Sequence, residues 1–176
     1  KQKLPDSKIK CIMILKKSSG WYVNLVFDCD NKFEVKETNK IIGIDPGFST
    51  LLTLSNGIKI ENPRELRNNE NRIVQAQKGK RKKLVTILHE KQKNQRKDRN
   101  HKISRKLIED YKTIFYSKDN LQSLSKNKFG KSVTEASLGN LITMLNYKSR
   151  IGGREIIPIN SKNTTMTCSN CWSKTG

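Results

Sequence analysis

Acidic residues are scarce in this chain of 176 residues: 16 Asp and Glu stand against 36 Lys and Arg, a net charge of +20. That deficit excludes a surface laced with balanced ion pairs and points to a polyanionic partner, nucleic acid first and an anionic membrane surface second. Aromatic residues make up 6% and apolar residues 34% of the chain, and mean hydropathy is −0.73. The core is therefore modest, with long polar stretches outside it. No apolar run approaches the roughly 20 residues of a membrane-spanning helix, and none opens the chain as a signal segment. The four cysteines, Cys11, Cys29, Cys168 and Cys171, are too few and too uneven for a secreted disulfide framework, so a reducing cytoplasm is expected; association with the nucleoid is a separate expectation. The chain opens at Lys1-Gln2-Lys3 without Met and stops just beyond a Cys pair, and it reads as a piece of a longer protein.

The strongest local signal is Ile41-Ile42-Gly43-Ile44-Asp45-Pro46-Gly47. An apolar strand ends in one carboxylate and Pro-Gly then turns the chain away, which sets Asp45 at the rim of a sheet. A strand-end carboxylate facing a cleft suits a divalent metal for phosphate chemistry; the plainer reading is that Asp45 orders its own turn. Phe48 to Leu54 reads as a returning strand and Ser55-Asn56-Gly57 as a tight turn.

Elsewhere, residues 9–15 and 21–28 read as two strands, with Trp21, Val23, Leu25 and Phe27 alternating with Tyr22, Asn24 and Val26. Pro63 opens a helical region. From Glu61 to Lys106 it carries sixteen Lys/Arg against five Asp/Glu, too few acids to neutralise the bases, so phosphate contact is expected. Gly79 is expected to divide it into the two arms of a basic antiparallel hairpin projecting from the sheet. A separate helix over 104–111, a strand over 113–117, a helix from Glu135 to Ile151 with the stripe Leu138, Leu141, Ile142, Leu145 and Tyr147, and a last strand over 154–159 complete the order. This alternation suits an α/β sheet with helices on its faces. Cys168-Ser169-Asn170-Cys171 has the spacing of one zinc knuckle, half of a closed four-ligand site; a redox-active or inert pair has the same spacing.

Several segments in order resemble the TnpB family of transposon-encoded proteins, the OrfB-type probable transposases related to type V CRISPR effectors. They are Gly43 to Gly47; Ile60-Glu61-Asn62-Pro63-Arg64; Asn94-Gln95-Arg96-Lys97-Asp98 with His101 to Leu107; Gly130-Lys131-Ser132; Leu145-Asn146-Tyr147-Lys148; and Asn163 to Cys171. The resemblance implies an RNA-guided DNA endonuclease with an α/β, RuvC-type ribonuclease-H-like domain over 39–176. Before it, residues 1–38 would end a wedge-like β domain. Residues 62–110 would be a basic helical insertion beside the guide–target heteroduplex, with Arg96, Lys97, Arg99, Lys102, Arg105 and Lys106 contacting nucleic acid. Residues 163–176 would be the first half of a zinc ribbon, with Cys168 and Cys171 on Zn²⁺. Guide RNA and target DNA are the implied partners, and no membrane.

Such nucleases hold two Mg²⁺ ions with three carboxylates, and Asp45 matches the first. The second is usually a Glu in a Glu-Asp-Leu pattern, where this chain reads Tyr116-Ser117-Lys118-Asp119-Asn120-Leu121. Asp119 is the first substitute and Glu135 the second. The third would lie beyond Gly176, and Trp172 stands where the family normally has Gly. The expectation is a nuclease parent whose present piece is inactive. The alternatives are a decayed relative that binds DNA without cutting, a RuvC-type junction resolvase, and an actin- or chaperone-like ATPase whose phosphate loop also begins Gly-Ile-Asp.

Overall fold

The structure, a computed structural model, describes residues 4–28, 35–117, 130–160, 167 and 170–174. Its first two strands, β1 (Ile9–Lys17) and β2 (Gly20–Phe27), pair antiparallel as a sheet of their own. The apolar alternation read from the sequence is present, yet Trp21 stays 70% and Val23 59% exposed. A two-stranded ribbon without a second layer has nothing to bury them against. It meets the rest through Glu90, which accepts a hydrogen bond from Ser19 Oγ at 2.9 Å and pairs with Lys17.

The second sheet holds β3 (Ile41–Pro46), β4 (Thr50–Leu54), β5 (Lys59–Glu61), β6 (Thr113–Ser117) and β7 (Glu155–Ile159), in the order β5-β4-β3-β6-β7. The first three form an antiparallel meander, while β6 runs parallel to β3 and β7 parallel to β6. Parallel neighbours need long crossovers. The first contains α1 (Glu65–Asn68), α2 (Glu70–Lys78) and α3 (Lys82–Asp110); the second contains α4 (Gly130–Ala136) and α5 (Leu138–Gly152). The mixed α/β sheet expected from the alternation of elements is thus present.

One core joins the layers. Ile42, Ile44, Leu51, Leu52, Leu54 and Ile114 of the sheet pack with Leu107 and Ile108 of α3 and with Leu138, Leu141 and Leu145 of α5. In β3 the buried face is that of Ile42 and Ile44, while Ile41 and Asp45 on the other face are exposed. Helix α5 ends where expected: Gly153 takes φ 62°, and the Arg154 N–H bonds back to the Ser149 carbonyl at 2.8 Å.

The helical excursion differs from the expectation of a projecting hairpin. The chain does reverse after Gly79, where Lys80 has φ 52°, and α2 packs on α3 through Ile73, Ala76 and Leu88. However, α3 runs unbroken for 29 residues to Asp110, absorbing the separate helix expected at 104–111. At 1.5 Å per residue it is about 43 Å long, roughly twice α5, and its C-terminal half is core. Its buried stripe is half polar: Gln92, Asn100 and Ser104 lie among Leu88, Leu107 and Ile108.

Two basic side chains hold this stripe. Lys148 of α5, which the sequence placed outside the apolar stripe, is buried and donates to the His101 carbonyl and to Ser104 Oγ, each at 2.7 Å. Tyr147, expected in the stripe, is exposed instead. Arg99 donates to Glu65 Oε2 at 2.7 Å, to Asn62 Oδ1 at 3.3 Å, and to the carbonyls of Glu135 and Ala136 at 3.2 and 2.9 Å. Both side chains are about nine-tenths buried, Arg99 at 11% and Glu65 at 10% exposure.

Removing one partner of such a pair strands a buried charge. Arg99→Ala is expected to lower unfolding free energy by about 3–5 kcal/mol, read by urea denaturation. Arg99→Lys should recover only part of it, because an ammonium does not reproduce the fork. A second expectation concerns pH. The pKa of His101 is pushed below its ordinary 6.5, by burial first and then by the charge of Lys148. A base with a lowered folded pKa binds protons more readily when unfolded. The contribution of this group to stability is therefore fully present above pH 6.5 and is lost on acidification from there down to the folded pKa. The urea midpoint should fall from about pH 7.5 to about pH 5.5, and His101→Gln should flatten that fall.

Candidate functional site

Asp45 sits at the C-terminal end of β3, exposed, in a cleft of about 380 Å³ lined by Gly43, Ile44, Thr53, Ser55, Phe115 and Ser117, among others. The local sequence builds this rim tightly. A Cβ on Gly47 would lie 2.6 Å from the Thr50 carbonyl oxygen, so only glycine lets the chain fold back toward β4. The Gly47 N–H then bonds to the Leu51 carbonyl at 3.1 Å. Ser55 fastens the other side, its Oγ accepting from the Gly43 N–H at 3.1 Å. Asn62 Nδ2 donates to the Phe48 carbonyl at 2.9 Å, and the same side chain accepts from Arg99. The turn after Asp45 is thereby tied to α3. No hydrogen bond or ion pair from the described residues occupies the Asp45 carboxylate.

Its expected partners are not assembled beside it. Ser117, at the end of the neighbouring parallel strand, lines the cleft with a hydroxyl where the resemblance called for a carboxylate. Asp119 lies outside the described residues. Glu135 is described, and it corrects the second substitution. It is 2% exposed, pairs with Arg67 Nε at 3.3 Å and accepts from the Arg67 backbone N–H at 3.2 Å. Its carboxylate anchors α1 and does not line the Asp45 cleft. Among the described residues Asp45 is the one carboxylate of this cleft, and no group of three metal-ligating side chains occurs. A two-Mg²⁺ site needs several carboxylate oxygens, so these residues do not fit the pair of ions.

At the other end of the chain, Thr167 and Lys174 form an isolated antiparallel bridge that brackets the Cys pair. Cys171 is exposed, and its Sγ lies 3.0 Å from Ser173 Oγ; Cys168 lies outside the described residues. Trp172 is 79% exposed and has φ 59°, the left-handed backbone that favours glycine. The departure noted in the sequence therefore falls on a position whose backbone asks for the residue the family normally has. Two thiols are half of a closed zinc site, and the described residues do not supply the other half.

The six basic residues expected to contact nucleic acid divide three ways. Arg99 is corrected: its guanidinium is committed to Glu65 and backbone carbonyls inside the fold. Lys102, Arg105 and Lys106 line a groove with Glu109, Asp110 and Tyr147, where Lys102 pairs with Asp98 at 2.7 Å and Arg105 with Glu109. Arg96 and Lys97 turn to the opposite side. With Lys93 they line a cleft of about 580 Å³ against Val133, Thr134, Ser137, Gly139, Asn140 and Met144. Lys93 was not singled out from the sequence, although its i, i+3, i+4 relation to Arg96 and Lys97 puts the three on one helix face. Among the described residues, no helix is long and apolar enough to cross a membrane.

Comparison with known proteins places the chain. The OrfB_IS605 family model, described as a probable transposase, matches residues 25–128. A "Putative RNA-guided DNA endonuclease" of Streptomyces pristinaespiralis is 30% identical over 156 residues, 81% of this chain and 39% of that protein. The "Putative RNA-guided DNA endonuclease InsQ" of Escherichia coli K12 is 21% identical over 93% of this chain and 48% of its own length. "TnpB-like protein L79" of Acanthamoeba polyphaga mimivirus is 27% identical over 85% of this chain and 34% of its length. The chain thus spans less than half of the curated relatives it matches. In fold it is similar to the protein in the cryo-EM structure of the Cas12f1–sgRNA–target DNA complex, with a TM-score of 0.53 at 21% identity, covering 93% of this chain and 45% of that one. A family match over more than half of its residues, on a mixed sheet that carries Asp45 at its rim, shows that the chain belongs to the OrfB, or TnpB-like, family of probable transposases.

Proposed function

We propose that this chain is the nucleic-acid-binding and catalytic-core portion of an RNA-guided DNA endonuclease, with guide RNA and target DNA as its partners. The observation that carries the reading is the unpartnered Asp45 carboxylate at the C-terminal end of a central strand, in a chain of net charge +20. The sheet order supports a RuvC-type, ribonuclease-H-like core: a three-strand antiparallel meander followed by two strands parallel to its first. In that reading Asp45 is the first carboxylate of the intact parent's site, where Mg²⁺, when bound, would supply an activated water for phosphodiester hydrolysis. Zn²⁺ on Cys168 and Cys171 would be structural, with two further ligands from the parent.

Asp45 by itself can accept hydrogen bonds and hold one cation, but it does not neutralise both the entering and the leaving oxygen of a phosphoryl transfer. We therefore assign binding without cleavage to the 176-residue chain alone. A second reading, a decayed parent that occupies DNA without cutting, is favoured by one observation: Ser117 stands in the cleft where a carboxylate is expected.

One measurement separates these readings and a second tests what they share. The intact parent with its guide RNA should cleave target DNA only with Mg²⁺, and Asp45→Ala should reduce cleavage about a hundredfold or more while leaving target binding in place. A parent that binds its target and leaves it uncut would establish the decayed reading. For the 176-residue chain, nucleic-acid affinity should fall steeply with salt, log K against log[salt] giving a straight line whose slope counts neutralised phosphates at about 0.7–0.9 each. A flat line would remove nucleic acid as the partner.

A further inference from the structure

The stripe of α3 that faces the core changes character along its length. At its C-terminal end it is Leu107, Ser104 and Asn100, all buried. Continuing toward the N-terminus, the same face carries Lys97, Arg96 and Lys93, just where the shorter α5 begins. The cleft between them is closed on the far side by Ser137, Gly139 and Asn140 at the start of α5. Three cations therefore converge on the positive end of a 15-residue helix, an arrangement that repels itself unless an anion lies between.

No such anion comes from the described residues. The first turn of α5 contains no acid, and Ser137, with φ 54°, gives it no side-chain cap; the Ser137 Oγ instead accepts from Asn140 Nδ2 at 3.0 Å. The nearby carboxylates face other partners: Asp98 pairs with Lys102, Glu70 with Lys131 and Glu135 with Arg67, while Glu90 accepts from Ser19 through Oε2 and its buried Oε1, without a hydrogen bond, lies 3.8 Å from Lys17. Arg96 Nη1 is fully buried without a hydrogen-bond partner. Gln92 Oε1, one turn earlier, is a buried acceptor also without one, but it is neutral and offsets no charge. Gly139 leaves open space where a Cβ would stand, so the backbone at the helix start is open to a ligand.

We infer that the cleft between Lys93, Arg96 and Lys97 of α3 and the N-terminus of α5 is a built binding site for a backbone phosphate of nucleic acid. The inference rests on the nucleic-acid reading above and adds to it which face of α3 makes the contact. The opposite groove is the weaker candidate, since Glu109 and Asp110 line it and two of its cations are paired. The ligand chemistry is a phosphodiester, which guide RNA and target DNA share.

The test uses the 176-residue chain and short labelled RNA and DNA strands of one sequence, titrated across a salt series. Converting Lys93, Arg96 and Lys97 together to Gln should lower affinity about tenfold or more at low salt and reduce the slope by about two. The same change at Lys102, Arg105 and Lys106 removes equal charge and should reduce the slope by less than about one. Gly139→Glu supplies a carboxylate at the α5 N-terminus, so it should raise the Tm while still lowering affinity. A larger loss with RNA assigns the cleft to the guide, and a larger loss with DNA to the target. Equal losses from the two triple variants, or unchanged affinity in Gly139→Glu, would overturn the site while leaving nucleic-acid binding intact. Failure of the unmodified chain to bind either strand would instead remove the underlying reading.

Discussion

The buried ion pair between Arg99 and Glu65 is the contact through which the separate pieces of this protein become one. Arg99 belongs to the long helix, Glu65 to the short helix that follows the meander, and the carbonyls it also binds belong to the junction of α4 and α5. Asn62, on the same guanidinium, reaches the turn behind Asp45. Four donors of a planar fork thus satisfy groups from two parts of the chain, residues 62–65 and 135–136, that lie far apart in sequence. Burying a charge without such a full set of partners is strongly unfavourable. The geometry is therefore demanding, and the demand fixes where α3 crosses the sheet.

That crossing decides the rest. Because α3 is held by its middle, its C-terminal half lies over the sheet and its N-terminal half overhangs the start of α5. The same helix is core at Leu107 and Ile108 and a cationic wall at Lys93 and Arg96. The Asp45 cleft lies at the C-terminal edge of the strands, where open α/β sheets commonly place their ligands. The structure thus offers two separate features of opposite charge, one exposed carboxylate at the strand ends and one cluster of cations beside the start of α5.

Much of the sheet was legible beforehand. Ile41 to Asp45, Thr113 to Ser117 and the Ser55-Asn56-Gly57 turn are short apolar runs bounded by turn residues, a pattern that local physics alone dictates. The long helix is not legible as one element because polar residues interrupt its buried face: Gln92, Asn100 and Ser104 stand between Leu88 and Leu107 and break the apolar period. Lys148 and Tyr147 were exchanged for a related reason. A lysine is expected outside and a tyrosine inside, and only the His101 carbonyl and Ser104 Oγ, supplied by another helix, make the reverse arrangement favourable. Asp45 was legible because its turn is local. Glu135 was misassigned because a carboxylate at a helix end looks the same in sequence whether it faces a cleft or, as here, pairs with Arg67 in the interior.

The amino-acid sequence by itself determined the family, the strand-end position of Asp45 and the excess of positive charge, since each depends on residue identity and near-neighbour spacing. Only the tertiary structure gave six similar cations different surroundings, Lys106 sharing a groove with Glu109 and Asp110. Arg99 is enclosed, Lys102 and Arg105 are paired, and Arg96 and Lys97 face a helix start with no acid to answer them. The physical reason is that a charge acts through its surroundings: burial, neighbouring carboxylates and helix termini set what it can bind, and long-range packing supplies all three.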